Sequence, residues 1–458
     1  MKSIRSNALA ISSLFLAALF YCPAVGAQTK AKPIVFKGAR LIDGTGRAPV
    51  ENSVLIIEGS KIRAVGKAGS IRTPEGAEVR DVSGKTIMPA LVALHCHLGL
   101  TSGIEQAARN YTEENIRGQL EEYLAYGVGT VVSLGQDQDL IYKLREDQRA
   151  GQLPGARFFT AGRGFGVNGG LPGQIVNAVD RYRPQTPEEA RADVRELAQN
   201  HPDFVKFWLD DDLGRVPKIQ LAVYRAIIEE GHRQHLRVVA HEFYLADAKA
   251  LVDAGIDGLA HSIRDEPVDN ELITAMKSRG VFLIPTLVRD ESVFVYAENP
   301  EWLDDAFFQA GLSPGVLATL QNPSFKEKFR MDPYLAKRQA AFEMGKKNLK
   351  ILEDAGVKIG FGTDSGPALR FSGFFEHREL QLMVEAGLTP MQAIVAATGT
   401  SAGILGAAKE FGTLERGKQA DFLVLDANPL EDIHNTEKLS AVWQAGRMVR
   451  SITGGGHL

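Results

Sequence analysis

The feature that most constrains the fold is an alternation of short apolar runs with helical stretches through the middle of the chain. Each run is apolar at successive positions and bounded by polar loops, which is typical of parallel strands buried on both faces. The candidate strands cover residues 87–97, 128–134, 157–162, 204–209, 238–241, 258–261, 281–287 and 359–364. Eight strands alternating with helices predict the α/β class and a (β/α)8 TIM barrel. A doubly wound open sheet is the alternative, because a strand count does not establish closure.

Helical spacing of apolar residues lies between several of these strands. Thr186 before Pro187 combines a capping side chain with a proline in the first turn, so a helix is predicted at 187–199. The same spacing predicts helices at 217–234, 245–254 and 268–277.

The connection at about 289–333 is too long for a standard strand-helix unit. Insertions of this length usually act as lids or functional loops. The alternative is that the aromatic residues of the insertion only pack it onto the barrel, and for most of them this is favoured: Trp302, Phe307, Phe308, Phe325 and Phe329.

Both ends of the chain are rich in short β-type segments separated by glycine-containing turns. We therefore expect residues 28–86 and 412–458 to form one small β-sandwich domain, with the barrel at 87–411 between them. The candidate strands of this composite domain are 34–36, 54–58, 62–65, 421–425 and 441–449.

Residues 1–27 are predicted to be a signal peptide. Lys2 and Arg5 precede an apolar stretch that ends before small residues at 25–27. At roughly 14 residues the stretch is shorter than the about 20 that a membrane span needs. Lipid attachment at Cys22 is disfavoured, because the bulky Tyr21 precedes it. Export to the periplasm or the medium is the expectation, without a membrane anchor after cleavage.

The overall charge excludes some classes of partner. The formal net charge is −4, with no long run of one sign, which argues against a nucleic-acid groove or a polybasic membrane patch. Cleavage would lower the 52 basic residues to 50 against 56 acidic ones, a net charge of −6. It would also leave Cys96 as the one cysteine, so the mature chain has no internal disulfide.

Polar side chains with metal-ligand chemistry end several of the candidate strands. His95 and His97 close the first one, and residues two apart in a strand face the same side, so both imidazoles point away from the side of Cys96. His241 and His261 end the fifth and sixth strands. Active sites of this fold lie at these carboxyl ends, although a lone histidine there is more often a hydrogen-bonded core residue.

Two further residues complete the set. Asp364 ends the eighth strand, where an unpaired carboxylate pointing into a barrel mouth requires a cation or a proton. Lys206 lies inside the apolar fourth strand, and an ion pair with a carboxylate is the plain interpretation. The alternative is that desolvation lowers its pKa and allows reaction with carbon dioxide, giving a carbamate able to bridge two cations.

The whole set resembles the amidohydrolase superfamily. Residues 87–95 are similar to its strand-one signature, and residues 412–421 resemble the motif of its closing β-domain. The likeness extends from about 34 to 449. Residues 239–261 are similar to the prolidase-like and imidazolonepropionase-like branch, which includes peptidases that release a C-terminal amino acid and ochratoxin-hydrolysing amidases.

The resemblance implies a site with two divalent metals, of which zinc best suits an imidazole-rich set and manganese or cobalt are alternatives. His95, His97 and Asp364 would hold the more buried metal, His241 and His261 the other, and carbamylated Lys206 would bridge them. A metal-bridging hydroxide would attack the carbonyl, while Asp364 accepts its proton and returns it to the leaving amine.

The expected activity is hydrolysis of an amide or peptide bond beside a C-terminal amino acid: a dipeptide, an N-acyl amino acid or, most specifically, an ochratoxin-type amide. A deaminase or cyclic-amide hydrolase of the same superfamily is one alternative, although deaminases need no bridging lysine. A non-catalytic binding protein is another. Homo-oligomers are implied by the branch. Candidate ligands for the substrate carboxylate are Arg163, Arg264, Arg289 and Arg370.

Three positions depart from the superfamily pattern. Ala90 stands where glycine is usual and Ala93 where aspartate is usual, which questions the local support of the metal site. Phe243, followed by Tyr244, stands where relatives often carry histidine or tyrosine, which bears on substrate recognition. The glycine-rich stretch 162–173 does not fit a dinucleotide fingerprint and is expected to be a flexible loop at the barrel mouth.

Overall fold

The computed structural model describes residues 32–454, so the signal peptide predicted at 1–27 and Cys22 lie outside the described residues. Among the described residues no helix is both long and apolar enough to cross a membrane. The strands are β1 (Ile34–Lys37), β2 (Arg40–Leu41), β3 (Ser53–Glu58), β4 (Lys61–Lys67), β5 (Glu78–Asp81), β6 (Thr86–Pro89), β7 (Leu91–Cys96), β8 (Thr101–Ser102), β9 (Glu105–Gln106), β10 (Val128–Ser133), β11 (Arg157–Thr160), β12 (Gly164–Phe165), β13 (Arg181–Tyr182), β14 (Phe204–Trp208), β15 (Arg237–His241), β16 (Gly258–Leu259), β17 (Phe282–Leu283), β18 (Phe422–Leu425), β19 (Leu439–Gln444) and β20 (Arg447–Val449).

The helices lie mostly between the strands of the central part of the chain, as the alternating pattern predicts. They are α1 (Glu113–Ala125), α2 (Leu140–Arg149), α3 (Pro187–Ala198), α4 (Leu221–Arg233), α5 (Leu245–Asp253), α6 (Asn270–Arg279), α7 (Leu287–Ser292), α8 (Ala306–Gln309), α9 (Val316–Gln321), α10 (Pro323–Arg330), α11 (Leu335–Asp354), α12 (Phe374–Glu385), α13 (Pro390–Val395) and α14 (Ser401–Leu405). The predicted cap of α3 is present, because the Thr186 side chain accepts a hydrogen bond from the backbone N–H of Glu189.

The central strands are parallel, which confirms the α/β class. They form a three-stranded sheet in the order β11-β10-β7 and a six-stranded sheet in the order β13-β12-β14-β15-β16-β17. In the larger sheet Lys206 of β14 lies opposite Val239 of β15, and Trp208 lies opposite His241. The register therefore brings the ends of neighbouring strands to one edge, where the candidate ligands lie.

The strands do not form one continuous closed sheet. Between β11 and β14 a single backbone hydrogen bond, from Asp203 N to Thr160 O at 2.8 Å, joins the two sheets. The segment 359–364, predicted as the eighth strand, has no regular strand. It lies beside β7 through a hydrogen bond from Leu94 N to Phe361 O at 2.7 Å. The extended conformation of this segment ends at Asp364, whose φ of 57° lies in the left-handed region.

Two antiparallel-rich sheets are formed from the ends of the chain. One has the order β4-β3-β1-β5, and the other, β2-β6-β18-β19-β20, contains strands from both ends. Their shared core includes Phe36, whose ring lies 5.1 Å from those of Phe422 and Trp443. The described residues, which include these two sheets and the central part, form one compact unit. The division into a barrel and a β-domain therefore stays a prediction.

The first predicted strand is divided in the structure. Strand β6 pairs with β18, so that Ile87 lies opposite Val424, whereas β7 pairs with β10 in the parallel sheet. Only Ala90 separates β6 from β7. One extended run therefore connects the terminal sheet directly to the strand that carries His95.

The long insertion packs onto the fold through its aromatic residues. Trp302 contacts Phe308 and Phe374 with ring centroids 4.8 and 5.5 Å apart. The Tyr126 hydroxyl donates to the Phe307 carbonyl at 2.8 Å. These contacts fit the interpretation that most of the aromatics serve packing, with α8, α9 and α10 as short helices inside the insertion.

Candidate metal centre

Two histidines at the end of β7 present their Nε2 atoms to a common point. The Nδ1 atom of His95 lies 3.1 Å from the Ala260 carbonyl oxygen, and that of His97 lies 2.9 Å from the Gly135 carbonyl oxygen. A carbonyl only accepts, so each Nδ1 carries a proton, and in the neutral ring each Nε2 has the lone pair that a metal ion would bind. Both residues are buried. The sequence prediction that both imidazoles face one side is confirmed by this geometry.

Asp364 meets this pair from the segment beside β7. Its Oδ1 lies 2.9 Å from Nε2 of His97 and 3.6 Å from Nε2 of His95. One potential ligand atom from each of the three residues lies within 4.8 Å of the other two. This group could hold a metal ion, since two imidazole nitrogens and one carboxylate oxygen form a common ligand set.

Lys206 reaches the same point from β14. Its Nζ lies 3.3 Å from Nε2 of His95, and the residue is fully buried. Burial lowers the pKa of the amine to about 8, although the charge of Asp364 acts in the opposite direction. Among residues 32–454 no carboxylate lies within ion-pair distance of Lys206, and its amine is neutral in part at mildly alkaline pH.

His241 and His261 form the second part of the centre. Their ring centroids are 4.2 Å apart, and the ring of His261 lies 5.1 Å from that of His95. Nε2 of His241 is 2.8 Å from Oδ2 of Asp210, and Nδ1 of His261 is 2.6 Å from Oγ1 of Thr286. These bonds leave Nδ1 of His241 and Nε2 of His261 as the nitrogens for a ligand. The structure thus brings all six predicted residues together.

The donors present fit divalent metal ions. Nε2 of His261 is buried and has no hydrogen-bond partner among residues 32–454, which is costly for a polar atom unless something binds it. Burial lowers the pKa of His95 and His261 well below the ordinary value and that of His241 to about 4. These imidazoles are therefore neutral near pH 7, which is the form that binds a metal.

The centre opens into a cavity of about 1090 Å³. His97, His241 and Asp364 lie in its wall, together with Trp208. The end of the glycine-rich stretch, with the residues that follow it, also lines the cavity, over residues 171–177. The expected position of that stretch at the mouth of the site is therefore observed.

The four candidate arginines differ in their availability. Nη1 of Arg370 lies 2.6 Å from Oδ2 of Asp364, and Nε of Arg289 lies 3.8 Å from the same oxygen. Both residues line the cavity. Arg163 instead pairs with Asp139, and the fully buried Arg264 donates to the Glu242 carbonyl. Arg289 and Arg370 are therefore the two of the four that can meet a ligand.

Arg370 also influences the charge state of Asp364. Burial alone would raise the pKa of its carboxyl, but Arg370 together with His95 and His97 outweighs burial and holds the pKa well below its ordinary value. The carboxylate is therefore ionised, with one oxygen towards the histidines and the other towards Arg370.

Two side chains that orient the histidines, Asp210 and Thr286, are not among the residues predicted from the sequence. Asp210 follows β14 by two residues, and a carboxylate just beyond a strand end was a signal that could have identified it. Thr286 has φ 50°, a left-handed conformation that is rare for a β-branched residue. The strained backbone holds its hydroxyl against His261, as is common at functional sites.

Two of the three departures from the superfamily pattern, Ala90 and Phe243, have local explanations. A Cβ atom added at Gly129 would lie 2.9 Å from Cβ of Ala90, so Gly129 makes the room that Ala90 needs. Phe243 lies under the Arg264 guanidinium at 4.9 Å, and the Tyr244 hydroxyl donates to Asp211. Both rings thus contact side chains outside the candidate ligand set.

Comparison with known proteins finds relatives and similar structures that cover most of the chain. The chain is 26% identical to an ochratoxinase of Aspergillus niger over 469 residues, covering 93% of this chain and 89% of the relative. It is 24% identical to a 5-methylthioadenosine/S-adenosylhomocysteine deaminase of Symbiobacterium thermophilum over 447 residues, covering 86% and 85%. The crystal structure of an Xaa-Pro dipeptidase with bound methionine is similar, with a TM-score of 0.74, 23% identity and coverage of 91% and 100%.

The family assignment rests on most of the chain. The sequence profile described as the amidohydrolase family matches residues 86–455. The match includes all six residues of the centre, and the likeness to an ochratoxinase agrees with the branch that the sequence resembles. The chain therefore belongs to the amidohydrolase family and is a hydrolytic enzyme.

Proposed function

We propose that this enzyme cleaves an amide or peptide bond next to a C-terminal amino acid. The observation that carries the proposal is the position of Arg289 and Arg370, which line the cavity beside Asp364. An arginine binds a carboxylate through two parallel hydrogen bonds. A substrate carboxylate held there would lie next to the candidate metal centre. The amide bond formed by the C-terminal amino acid would then lie within reach of that centre.

The names of the relatives support this class of substrate. One relative is an ochratoxinase, and one similar structure is an Xaa-Pro dipeptidase with methionine in its active site. Dipeptides, N-acyl amino acids and ochratoxin-type amides are the substrates we propose.

The residues of the centre are proposed to hold two divalent cations, with zinc the preferred metal. His95, His97 and Asp364 would hold one, His241 and His261 the other, and Lys206 would bridge them as a carbamate. Bound cations supply an activated water at neutral pH and polarise a carbonyl. The parallel strands are proposed to belong to a (β/α)8 barrel, with these residues at one of its rims.

Asp364 is the proposed proton carrier. Its carboxylate is ionised and can accept a proton from the attacking water and return it to the leaving amine. The ion pair between Arg370 and Asp364 at 2.6 Å suppresses this basicity. A substrate carboxylate that attracts Arg370 would weaken that pair and so favour proton transfer by Asp364.

The experiment is a substrate screen with metal analysis on the same preparation. N-acyl amino acids and dipeptides are compared with the same compounds amidated at the C-terminus. We expect hydrolysis of the acids, faster by at least about tenfold than of the amides, with two metals per chain. Release of ammonia from purine nucleosides with one metal per chain would support the deaminase alternative instead. No hydrolysis of any acid by the metal-loaded protein would contradict the proposal.

We also propose that the protein is exported by the segment at 1–27 and forms a homo-oligomer. Fractionation of the producing cells tests the first statement. Light scattering of the purified enzyme tests the second.

A further inference from the structure

A second cavity of about 560 Å³ lies next to the one that holds the metal centre. Helix α1 lines it, and so does the insertion at Gly311 and Ser313. Arg109, Pro367 and Arg370 belong to the walls of both cavities. Arg370 therefore stands between the second cavity and Asp364.

Most polar groups of this wall already have partners. Nδ2 of Asn115 donates to the carbonyl oxygens of Gly99 and Thr101, at 2.9 Å each. Nε2 of Gln119 donates to Thr101 O at 3.0 Å, and its Oε1 accepts from Gly99 N at 2.8 Å. These amides hold the loop after β7 in place, so they are not available to a ligand.

Glu122 is different, because its carboxyl faces the cavity without a partner. Among residues 32–454 it makes no side-chain hydrogen bond or ion pair, whereas the nearby Glu376 accepts from Thr363, Ser365 and Gly373. Burial, with the charge of Glu376, raises the pKa of Glu122 to about 8. A half-buried carboxyl in this position lacks the compensation that such groups normally have.

The insertion leaves space for this carboxyl. A Cβ atom at position 311 would lie 2.9 Å from Oε1 of Glu122 and 2.6 Å from the Tyr126 hydroxyl, so only glycine fits without a shift. The cavity thus has a positive wall at Arg109 and Arg370, and on the side of α1 it has Glu122, a half-buried acid without a partner, beside the exposed Glu114.

We propose that the second cavity binds an ammonium group of the substrate, held by Glu122, while Arg370 binds the carboxylate of the same molecule. This inference rests on the proposed function. An ammonium group supplies the charge and the donors that a partnerless carboxylate requires. It can come from the side chain of a C-terminal lysine or from a free N-terminus, and the experiment separates these two sources.

The test uses two pairs of substrates that differ by one charge. The first pair is N-acetyl-alanyl-lysine and N-acetyl-alanyl-norleucine, and the second is alanyl-leucine and N-acetyl-alanyl-leucine. Glu122→Gln should lower kcat/KM by at least about tenfold for the ammonium-bearing member of one pair. The neutral partner should be unchanged, since the substitution removes the charge and keeps the shape. The affected pair identifies the source.

Glu114→Gln is the matched control, because Glu114 is an exposed glutamate of the same cavity wall. It should leave all four values unchanged. Gly311→Ala is a second variant, which crowds the Glu122 carboxyl without changing any charge, and it should lower kcat/KM for the same substrate. Product inhibition gives a further readout, with L-lysine or L-alanine losing affinity in Glu122→Gln according to the source.

The outcomes separate this inference from the proposed function. If the wild type hydrolyses none of the four substrates, the proposed function fails. If it hydrolyses them and Glu122→Gln changes both members of each pair equally, or none, the ammonium site is wrong while the amidase stands. If the Glu122→Gln protein does not fold, Gly311→Ala becomes the test. Equal changes of kcat/KM for the two members of each substrate pair in Gly311→Ala would then overturn the inference.

Discussion

The Nζ atom of Lys206 lies 3.3 Å from Nε2 of His95, although the two residues are 111 positions apart in the chain. Both side chains are fully buried, and burial favours their neutral forms. A neutral amine and a neutral imidazole of this kind bind protons weakly, and their lone pairs are available to metal ions. The pair therefore brings the fourth and the first of the predicted strands together at the candidate metal centre.

Replacing Lys206 tests the bridging role. Lys206→Ala should lose most of the activity and bind fewer metal ions per chain, because a ligand shared by both ions is removed. Small carboxylates such as acetate should restore part of the activity by filling the same space. Kinetic assays with metal analysis measure both effects.

The control for this variant is Lys218→Ala, in which the lysine removed pairs with Asp247 at 2.8 Å and lies outside the candidate ligand set. It should keep its metal and its activity. Full activity of Lys206→Ala would refute the bridging role.

The lowered pKa of Lys206 gives a pH dependence for reconstitution. Only the neutral amine reacts with carbon dioxide, and with a pKa of about 8 its fraction rises tenfold per pH unit below pH 8 and levels off above. The rate of reactivation of the metal-stripped enzyme, at constant dissolved carbon dioxide, should follow this curve. A rate that continues to rise beyond pH 9.5 would mean an ordinary lysine.

Asp210 should strengthen metal binding through His241. The 2.8 Å contact between Oδ2 of Asp210 and Nε2 of His241 orients the ring and makes its other nitrogen more basic. Asp210→Asn should weaken the affinity for one metal by about 10- to 100-fold. Competition with a chelator measures it. Asp212→Asn is the control, because Asp212 pairs with Arg215 instead, and an equal effect of both variants would refute the role of Asp210.

Arg370 should determine the preference for substrates with a free carboxylate. Arg370→Ala should raise KM for acid substrates by about tenfold or more and leave that for their C-terminal amides almost unchanged. Arg163→Ala is the matched control, since this arginine pairs with Asp139. If the ratio between acids and amides stays the same in Arg370→Ala, the carboxylate is bound elsewhere.

Gly366 supports the same site through its backbone. Its φ of 107° is accessible mainly to glycine, and a Cβ atom there would lie 1.8 Å from the His97 carbonyl oxygen. Gly366→Ala should lower the free energy of unfolding by about 2–4 kcal/mol. Gly69→Ala, with φ 87° and open space around it, should cost only about 1 kcal/mol. Denaturant unfolding compares the two, and equal costs would refute the steric argument.

The sequence predicted that the candidate residues lie together, because their positions follow from local rules. Strand ends are recognisable where an apolar run stops, and His241 and His261 follow such runs. Alternation in a strand likewise predicts that His95 and His97 share a face. The α/β class and the caps of the helices depend on equally local signals, such as Thr186 before α3.

What the sequence did not predict depends on contacts between distant segments. The division of residues 87–97 at Ala90 is set by the pairing of β6 with β18 from the other end of the chain. The irregular segment 359–364 depends on how closely it approaches β7: a Cβ atom at Gly362 would lie 2.7 Å from His95 N. The contact of Thr286 with His261 and the surroundings of Glu122 likewise depend on side chains that no local pattern brings together.

The pairing of β6 with β18 has a consequence for how the protein is made. During synthesis β6 emerges more than 300 residues before its partner, and until then its edge is open to wrong pairing. The run that carries His95 thus gains its pairing with β18 only after translation is nearly finished. A chain that stops before β18 should be captured by chaperones or proteases rather than accumulate as a shorter enzyme.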